Sequence, residues 1–322
     1  MTRAIRIHEV GDASVLREES IEVPPPGPGE VTLRHTAIGL NFIDVYHRTG
    51  LYPQPLPFTP GQEGAGVVTA VGEGVTSVRV GERVAYAGVP GAYAELRNAK
   101  AERLVTLPDD VDDVTAAAVM LKGMTAEALL RRCRPVGPGD TVLIHAAAGG
   151  VGLIATQWAR HLGANVIGLV GRAEKAVLAA PHCDFVLVTS EGPWVEKVKS
   201  LTDGRGVQAV FDSVGKDTFQ QSLDSLAPRG TLVSFGQSSG KPPPFDLQVL
   251  GGMRSLFVTR PSLFAYISTR AELEASAQAL FAVLRSGAVK VAKPASFKLS
   301  EVQAAHRALE GRETTGSVVL IP

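Results

Sequence analysis

Cysteine is nearly missing from this chain: 322 residues contain two, Cys133 and Cys183. Two thiols this far apart cannot build a disulfide framework or a cysteine-rich structural zinc site. A reducing compartment, the cytoplasm, is the expected location. An excess of charge is also missing, because Lys+Arg and Asp+Glu both number 32. No net field therefore draws the protein to nucleic acid or to anionic lipid, and neither is expected as a partner. Long apolar runs are absent as well. The best candidate, "TAAAVML", stops at Lys122, well short of the ~18 residues of a membrane span. The first residues, "MTRAIRIHEVG", lack the apolar core of a secretory signal. What remains is 45% hydrophobic and 20% charged, an ordinary soluble composition on a chain long enough for two domains.

The texture changes along the chain. The first hundred residues read as short strands broken by glycine and proline. "EVTLRHTAIGLN" alternates apolar and polar residues, and "GEGVTSVRVGERVAY" carries closely spaced turn glycines. That pattern predicts a β-barrel or partly open sheet. From about residue 123, short apolar runs alternate with helical stretches: "TVLIH", "NVIGLV", "FVLV", "AVFDSV", "TLVSF" and "LFV". Continuous β-branched runs suit strands covered on both faces, so this part predicts a doubly wound parallel sheet. Two amphipathic helices follow beyond residue 265. The first carries Leu273, Ala277, Leu280, Phe281 and Leu284 on one face; the second opens with Ser300 and Gln303 in capping-box spacing. The closing "GSVVLIP" is a strand with no helical successor, and its expected partner is the N-terminal sheet. The fold class is therefore α/β in three segments: 1–122, 123–264, and 265–322 returning to the first domain.

"DTVLIHAAAGGVGLIATQWAR" is the most informative stretch. A buried strand runs into Ala147-x-Gly149-x-x-Gly152 and then a helix, the dinucleotide fingerprint with alanine at its first glycine. Gly149, Gly150 and Val151 line the expected pyrophosphate cradle, and Gly152 allows close packing of helix on strand. The end of the second strand selects the dinucleotide. An acidic residue there would hold the ribose of NAD, but "NVIGLVGRAEK" offers Gly171, Arg172 and Lys175. Two cations attract a 2′-phosphate, so NADPH is the expected cofactor. The alternative is that both are solvated loop charges, with Glu174 pairing one of them.

Gly139-Asp140, Leu143, Ala147 to Gly150, Gly152, Gln157 and Arg160 form a pattern that resembles the quinone oxidoreductase and ζ-crystallin motif. Pro60 to Gly72 is similar to the medium-chain dehydrogenase/reductase motif. "NFIDVYHRTGLYP", "FDSVGKDTF", "VSFGQSSG" and "VTRPSL" resemble bacterial NADPH:quinone reductases. The resemblance spans essentially the whole chain. It implies a GroES-like catalytic domain, a Rossmann domain, a homodimer and a quinone substrate. Zinc-dependent members of the superfamily place cysteine and histidine where this chain has Asn41 and Gln62. Neither amide suits a catalytic zinc, so no metal is expected. A quinone already accepts hydride readily, and catalysis then needs positioning more than a Lewis acid.

The resemblance also implies roles for single residues, each with a plainer alternative. Asn41 and Phe42 fall beside the nicotinamide end of the cofactor; Asn41 could instead stabilise its loop as an Asx turn. Tyr46 and Tyr52 match tyrosines around a quinone pocket, as hydrogen-bond or proton donors, or they pack with satisfied hydroxyls. Thr125 matches a residue along the diphosphate, or only caps a helix N-terminus. Ser213, Phe235 and Ser238 follow strand ends, where doubly wound folds bind ligands. Arg260 and Arg312 resemble cofactor-binding arginines, Arg312 near the 2′-phosphate, or each forms a surface ion pair. A tyrosine common near the 2′-phosphate is replaced by Thr189 and Ser190. His145 reads as a core histidine. Two functional alternatives stay open: a reductase of α,β-unsaturated aldehydes or ketones, and a non-catalytic NADPH-binding protein.

Overall fold

A computed structural model describes all of residues 1–322 and divides them into two compact units. The first comprises Met1–Met124, Ile267–Arg285 and Val291–Pro322; the second comprises Thr125–Tyr266 and Ser286–Lys290.

The first unit is built around the long strand Glu30–Leu40, which pairs antiparallel with Glu63–Val71, with Leu96–Lys100 and with the terminal strand Val318–Ile321. The C-terminal strand thus joins strands from the first hundred residues in one seven-stranded sheet, while Thr2–Arg6 and Arg17–Ile21 pair in a separate two-stranded sheet. Val31, Leu33, Ile38, Leu40, Val68, Val84 and Tyr86 belong to one buried core packed on the seven-stranded sheet. Eight of the eleven residues of "EVTLRHTAIGL" are buried, and Val31 and Leu33 share a core with Ile38 and Leu40, of the opposite parity, because the register with Glu63–Val71 shifts between His35 and Ala37. The helix Asp113–Glu127 holds "TAAAVML" with Ala116 to Met120 all fully buried, so this run is core. No helix of the protein is long and apolar enough to cross a membrane. The amphipathic helix Arg270–Arg285 seats Leu280 where a Cβ on Gly123 would stand.

The expected cap at Ser300 and Gln303 is not the one that forms. Glu301 Oε2 accepts from Lys298 N (2.9 Å), a 3₁₀ turn spans Leu299–Glu301, and the helix proper is Val302–Glu310. Gln303 instead donates to the carbonyl of Leu16 at 3.0 Å. A side-chain spacing specifies a cap only if the chain enters the helix at that residue, and here it enters two residues earlier, at Lys298.

In the second unit the six apolar runs form one parallel sheet. Its strands are Thr141–His145, Asn165–Val170, Phe185–Val188, Val207–Asp212, Leu226–Ser234 and Phe257–Thr259. Numbered in that order, they lie 3-2-1-4-5-6 across the sheet, the doubly wound order with a switch point between the first and fourth strands. Gln157 ties the segment Ser286–Lys290 to this unit with both ends of its amide, bonding the nitrogen and the carbonyl of Lys290. His145 is a core residue, stacked edge-on against Trp194 and bonded to Ser222 Oγ at 3.0 Å. Ser222 in turn donates to Asp212 Oδ2 (2.7 Å). The Ser–His–Asp grouping suggests a nucleophile. However, Ser222 is fully buried and its proton goes to the carboxylate, so the group braces the turn after Asp212.

Candidate functional site

The second unit carries the cradle. The strand Thr141–His145 delivers the chain into a turn in which Ala146 takes φ 49°, and the helix Gly150–His161 begins immediately after Gly149. A Cβ at Gly152 would collide with the carbonyl oxygen of Ala146, and one at Gly149 would lie 3.1 Å from that atom. Gly152 is therefore required for the backbone to close on itself, and a side chain at Gly149 would be tightly crowded. The first N–H groups of a twelve-residue helix are left pointing out of the turn, the arrangement that receives a pyrophosphate. Gly150 and Val151 form the first turn.

The next strand ends at Val170. Gly171 follows with open space where a side chain would be, and Arg172 caps the helix Ala173–Ala179, which contains Lys175. Thr189 lies beside this loop, its hydroxyl 3.5 Å from the carbonyl of Gly171. No acidic residue stands at the end of this strand; Glu174 is within the helix.

Ser213, Phe235 and Ser238 come together at the C-terminal ends of two neighbouring strands. Phe235 N donates to Asp212 O (2.9 Å) and Ser238 N to Ser213 O (3.2 Å). Asp212 orders this turn. Burial would raise its pKa, but His145, the hydroxyls of Ser222 and Thr218, and Val214 N–H outweigh burial and hold it low. Arg260 follows the last strand and donates to Ser234 O at 3.2 Å. Thr125 lies within the last turn of the helix Asp113–Glu127. The capping alternative is thereby corrected: this threonine is not at a helix N-terminus.

The first unit carries a second cluster. Asn41 ends the long strand and begins the helix Phe42–Arg48, with Asp44 Oδ2 accepting from Asn41 N (2.9 Å) as the reciprocal half of the cap. Phe42 and Tyr46, four residues apart, share a helix face with ring centroids 6.3 Å apart, and Tyr52 meets Tyr46 edge-on at 5.2 Å. All three rings are half-buried. Behind them His47 is buried, with its basicity lowered by that burial, and Gln62 Nε2 makes a long 3.5 Å contact with its Nδ1. No three His, Cys, Asp or Glu side chains in the protein stand where they could share an ion. Arg312 also belongs to this unit, following the helix Val302–Glu310 at φ 56°.

The ionisable side chains of Glu63, Lys122, Asp44 and Arg48 are buried here, and motif reading does not reveal their burial or their partners. Glu63, wholly buried, accepts from Asn41 Nδ2 (2.9 Å), Lys122 Nζ (2.7 Å) and Leu121 N (2.6 Å). Asp44 is also wholly buried, and burial raises its pKa to about 7, against the pull of Asn41 N–H and the Tyr93 hydroxyl. From Asp44 a string of bonds runs through Tyr93 Oη (2.9 Å) and His306 (3.1 Å) to Arg48 (3.1 Å), which grips Glu310 with two bonds. Arg48 can only donate, so His306 Nδ1 accepts and Nε2–H faces Tyr93. Every hydrogen between Arg48 and Asp44 therefore points towards Asp44. Because a guanidinium does not give up its proton, the string holds Asp44 in place and does not conduct protons from the surface. His306 itself stays neutral, its pKa lowered by burial to about 3.

Two family profiles match the chain: "Alcohol dehydrogenase GroES-like domain" over residues 27–109 and "Zinc-binding dehydrogenase" over 150–281. A quinone oxidoreductase of Pseudomonas aeruginosa is 48% identical over the whole of both chains. The chain belongs to the quinone oxidoreductase family. Members also include sequences with other acceptors in their names: a 2-haloacrylate reductase of Burkholderia is 46% identical, covering all of this chain and 99% of that protein. The Escherichia coli quinone oxidoreductase, solved in complex with NADPH, superposes with a TM-score of 0.96 at 45% identity over both full chains. The family thus combines a GroES-like domain with a Rossmann sheet, the architecture described above.

Proposed function

We propose that this protein is an NADPH-dependent quinone oxidoreductase that works without a metal. The overall reaction would take NADPH, a proton and a quinone to NADP⁺ and the hydroquinone. The observation that carries the cofactor assignment is the pair of strand ends in the second unit. One closes tightly enough on glycines to present helix N–H groups to a pyrophosphate; the other replaces the usual acidic residue with Gly171, Arg172 and Lys175. Gly149, Gly150, Val151 and Gly152 would hold the diphosphate, with Thr125, Ser213, Phe235, Ser238 and Arg260 contributing along the cofactor. Arg312 is assigned to the 2′-phosphate on family resemblance. When bound, the cofactor supplies the hydride.

The first unit's part is to orient and to exclude water. Asn41 and Phe42 are assigned to the nicotinamide end, and Tyr46 and Tyr52 to the acceptor, where a phenol can stabilise or protonate a developing oxyanion. Metal independence rests on chemistry: Asn41 and Gln62 carry amides, which lack the anionic or imidazole donors a catalytic zinc requires. The buried acid Glu63 is already committed to three donors.

One observation favours a second reading, reduction of an activated carbon–carbon double bond: the 46% identical relative named as a 2-haloacrylate reductase. Steady-state NADPH oxidation across matched quinones, enals and 2-haloacrylates, after chelator treatment, decides between them. Quinone turnover that survives chelation, with kcat/KM at least tenfold above that for the other acceptors, is expected. Loss of activity on chelation, or a preference for the activated alkenes, would refute the assignment.

A homodimer is also proposed. The strand Phe257–Thr259 is the edge of the six-stranded sheet, and Phe257, Met253 and Leu247 on and before it are 60%, 95% and 73% exposed. An open edge beside apolar side chains is a pairing surface. Cytoplasmic residence fits two unpaired cysteines.

A further inference from the structure

The carboxylate of Glu63 is enclosed at the start of its strand, and the space it fills exists because Gly39, directly opposite in the register, has no side chain. A Cβ on Gly39 would collide with Glu63 Oε1 and with the carbonyl oxygen of Ala117. Three donors converge on the two oxygens: Asn41 Nδ2 and Lys122 Nζ on Oε1, and Leu121 N on Oε2. Only an acceptor-only group satisfies all three. Burying such an ion pair, with side-chain exposures of 0% and 7%, is weak evidence for a stabilising role, because desolvation offsets the attraction.

The pair has a local consequence. An ionised carboxylate cannot accept the carbonyl end of an amide, so it determines which branch of Asn41 is nitrogen. Nδ2 is committed to Glu63, and Oδ1 lies on the other branch, at the start of the helix Phe42–Arg48, where the capping box brings the Asp44 N–H to it and leaves one lone pair to offer.

We propose that Glu63, anchored by Lys122, is a positioning residue that fixes the polarity of Asn41, so that Asn41 meets its ligand as a hydrogen-bond acceptor. This rests on the functional reading above and sharpens it. A quinone carries oxygens that only accept, so it is not the partner of Asn41 Oδ1. The partner is a hydroxyl or amide N–H donor. Two ligands of the reaction supply one: the cofactor, through its ribose hydroxyls and carboxamide, and the hydroquinone product.

The test is a double-mutant cycle on Asn41→Ala and Glu63→Gln, each alone and combined, with thermal melts to establish folding. One arm measures the dissociation constant of NADPH, and the other the product-inhibition constant of the hydroquinone. If Glu63 acts through Asn41, each single variant weakens one of these constants about tenfold and the double variant is no worse than Asn41→Ala. The arm that moves identifies the donor. Losses that multiply to about a hundredfold in the double variant would overturn the proposal, as would an unchanged constant in both arms for either single variant. Should Glu63→Gln fail to fold, Lys122→Met is carried through the same cycle with the same expectations. Failure of the wild-type protein to bind NADPH would instead overturn the functional reading itself. Tight NADPH binding with multiplicative losses would overturn only the role of Glu63.

Discussion

Replacing Asp44 by asparagine should change how stability depends on pH, and the direction follows from burial. The Asp44 carboxyl has no exposed surface; Oδ2 accepts from Asn41 N and Tyr93 Oη, and Oδ1 has no partner. Burial, reinforced by the nearby charge of Glu63, raises its pKa from 3.8 to about 7, while Asn41 N–H, Tyr93 and Lys122 oppose the rise. A folded-state pKa raised above the unfolded value means that the protonated form is favoured by folding. The contribution is complete below about pH 4 and is lost as pH rises to about 7. Three units at about 1.4 kcal/mol each make the swing about 4 kcal/mol. An asparagine keeps an oxygen for both donors and places its NH₂ where Oδ1 stands, at a cost of about 1–3 kcal/mol that does not vary with pH.

The first unit must be read by itself, because both tryptophans, Trp158 and Trp194, lie in the second. Amide hydrogen exchange along Glu30–Leu40 does this, and intrinsic exchange rates cancel in the ratio of variant to wild type. His35 and His306, both lowered to about 3 by burial, stay neutral when folded across this range and cancel as well. Protection in Asp44→Asn relative to wild type should climb by up to about 250-fold between pH 4.5 and pH 8, with most of the change below pH 7. A ratio that stays flat across that range would show that Asp44 ionises normally, and the burial argument would fail.

Two shorter predictions concern the assigned roles. Arg172→Ala should reduce the preference for NADPH over NADH by at least about tenfold, because one charge-assisted contact to the 2′-phosphate is lost; an unchanged ratio of dissociation constants would remove Arg172 from cofactor selection. Tyr52→Phe keeps the ring packed against Tyr46 but removes the hydroxyl, so kcat with several quinones should fall by about 10–100-fold with little change in melting temperature. Unaltered turnover would leave Tyr52 as a packing residue.

The doubly wound sheet was legible from sequence because its determinants are local. Six apolar runs are separated by helical spacing, and a glycine turn lies between the first strand and its helix. Gly152 is readable in the same way, since the atom it must avoid, the carbonyl of Ala146, is six residues away along the chain. A return of the closing strand to the N-terminal sheet was also expected, because a strand without a neighbour must find an edge, but the partner strand, Glu30–Leu40, was not. Arg172 and Lys175 could be proposed from sequence since the charge logic of a strand end needs no distant partner.

Only tertiary structure decided the buried charges. Asp44, Arg48, Lys122 and the neutral His306 belong to no spacing pattern. Glu63 falls within the Pro60–Gly72 motif, but nothing in that motif shows that its carboxylate is buried or which donors it meets. Their behaviour depends on removal from water and on partners as distant as His306 and Glu310 are from Arg48. Periodicity and turn chemistry act between near neighbours and survive in the sequence as pattern. Desolvation is a property of the enclosed volume and exists only once the chain has closed around it.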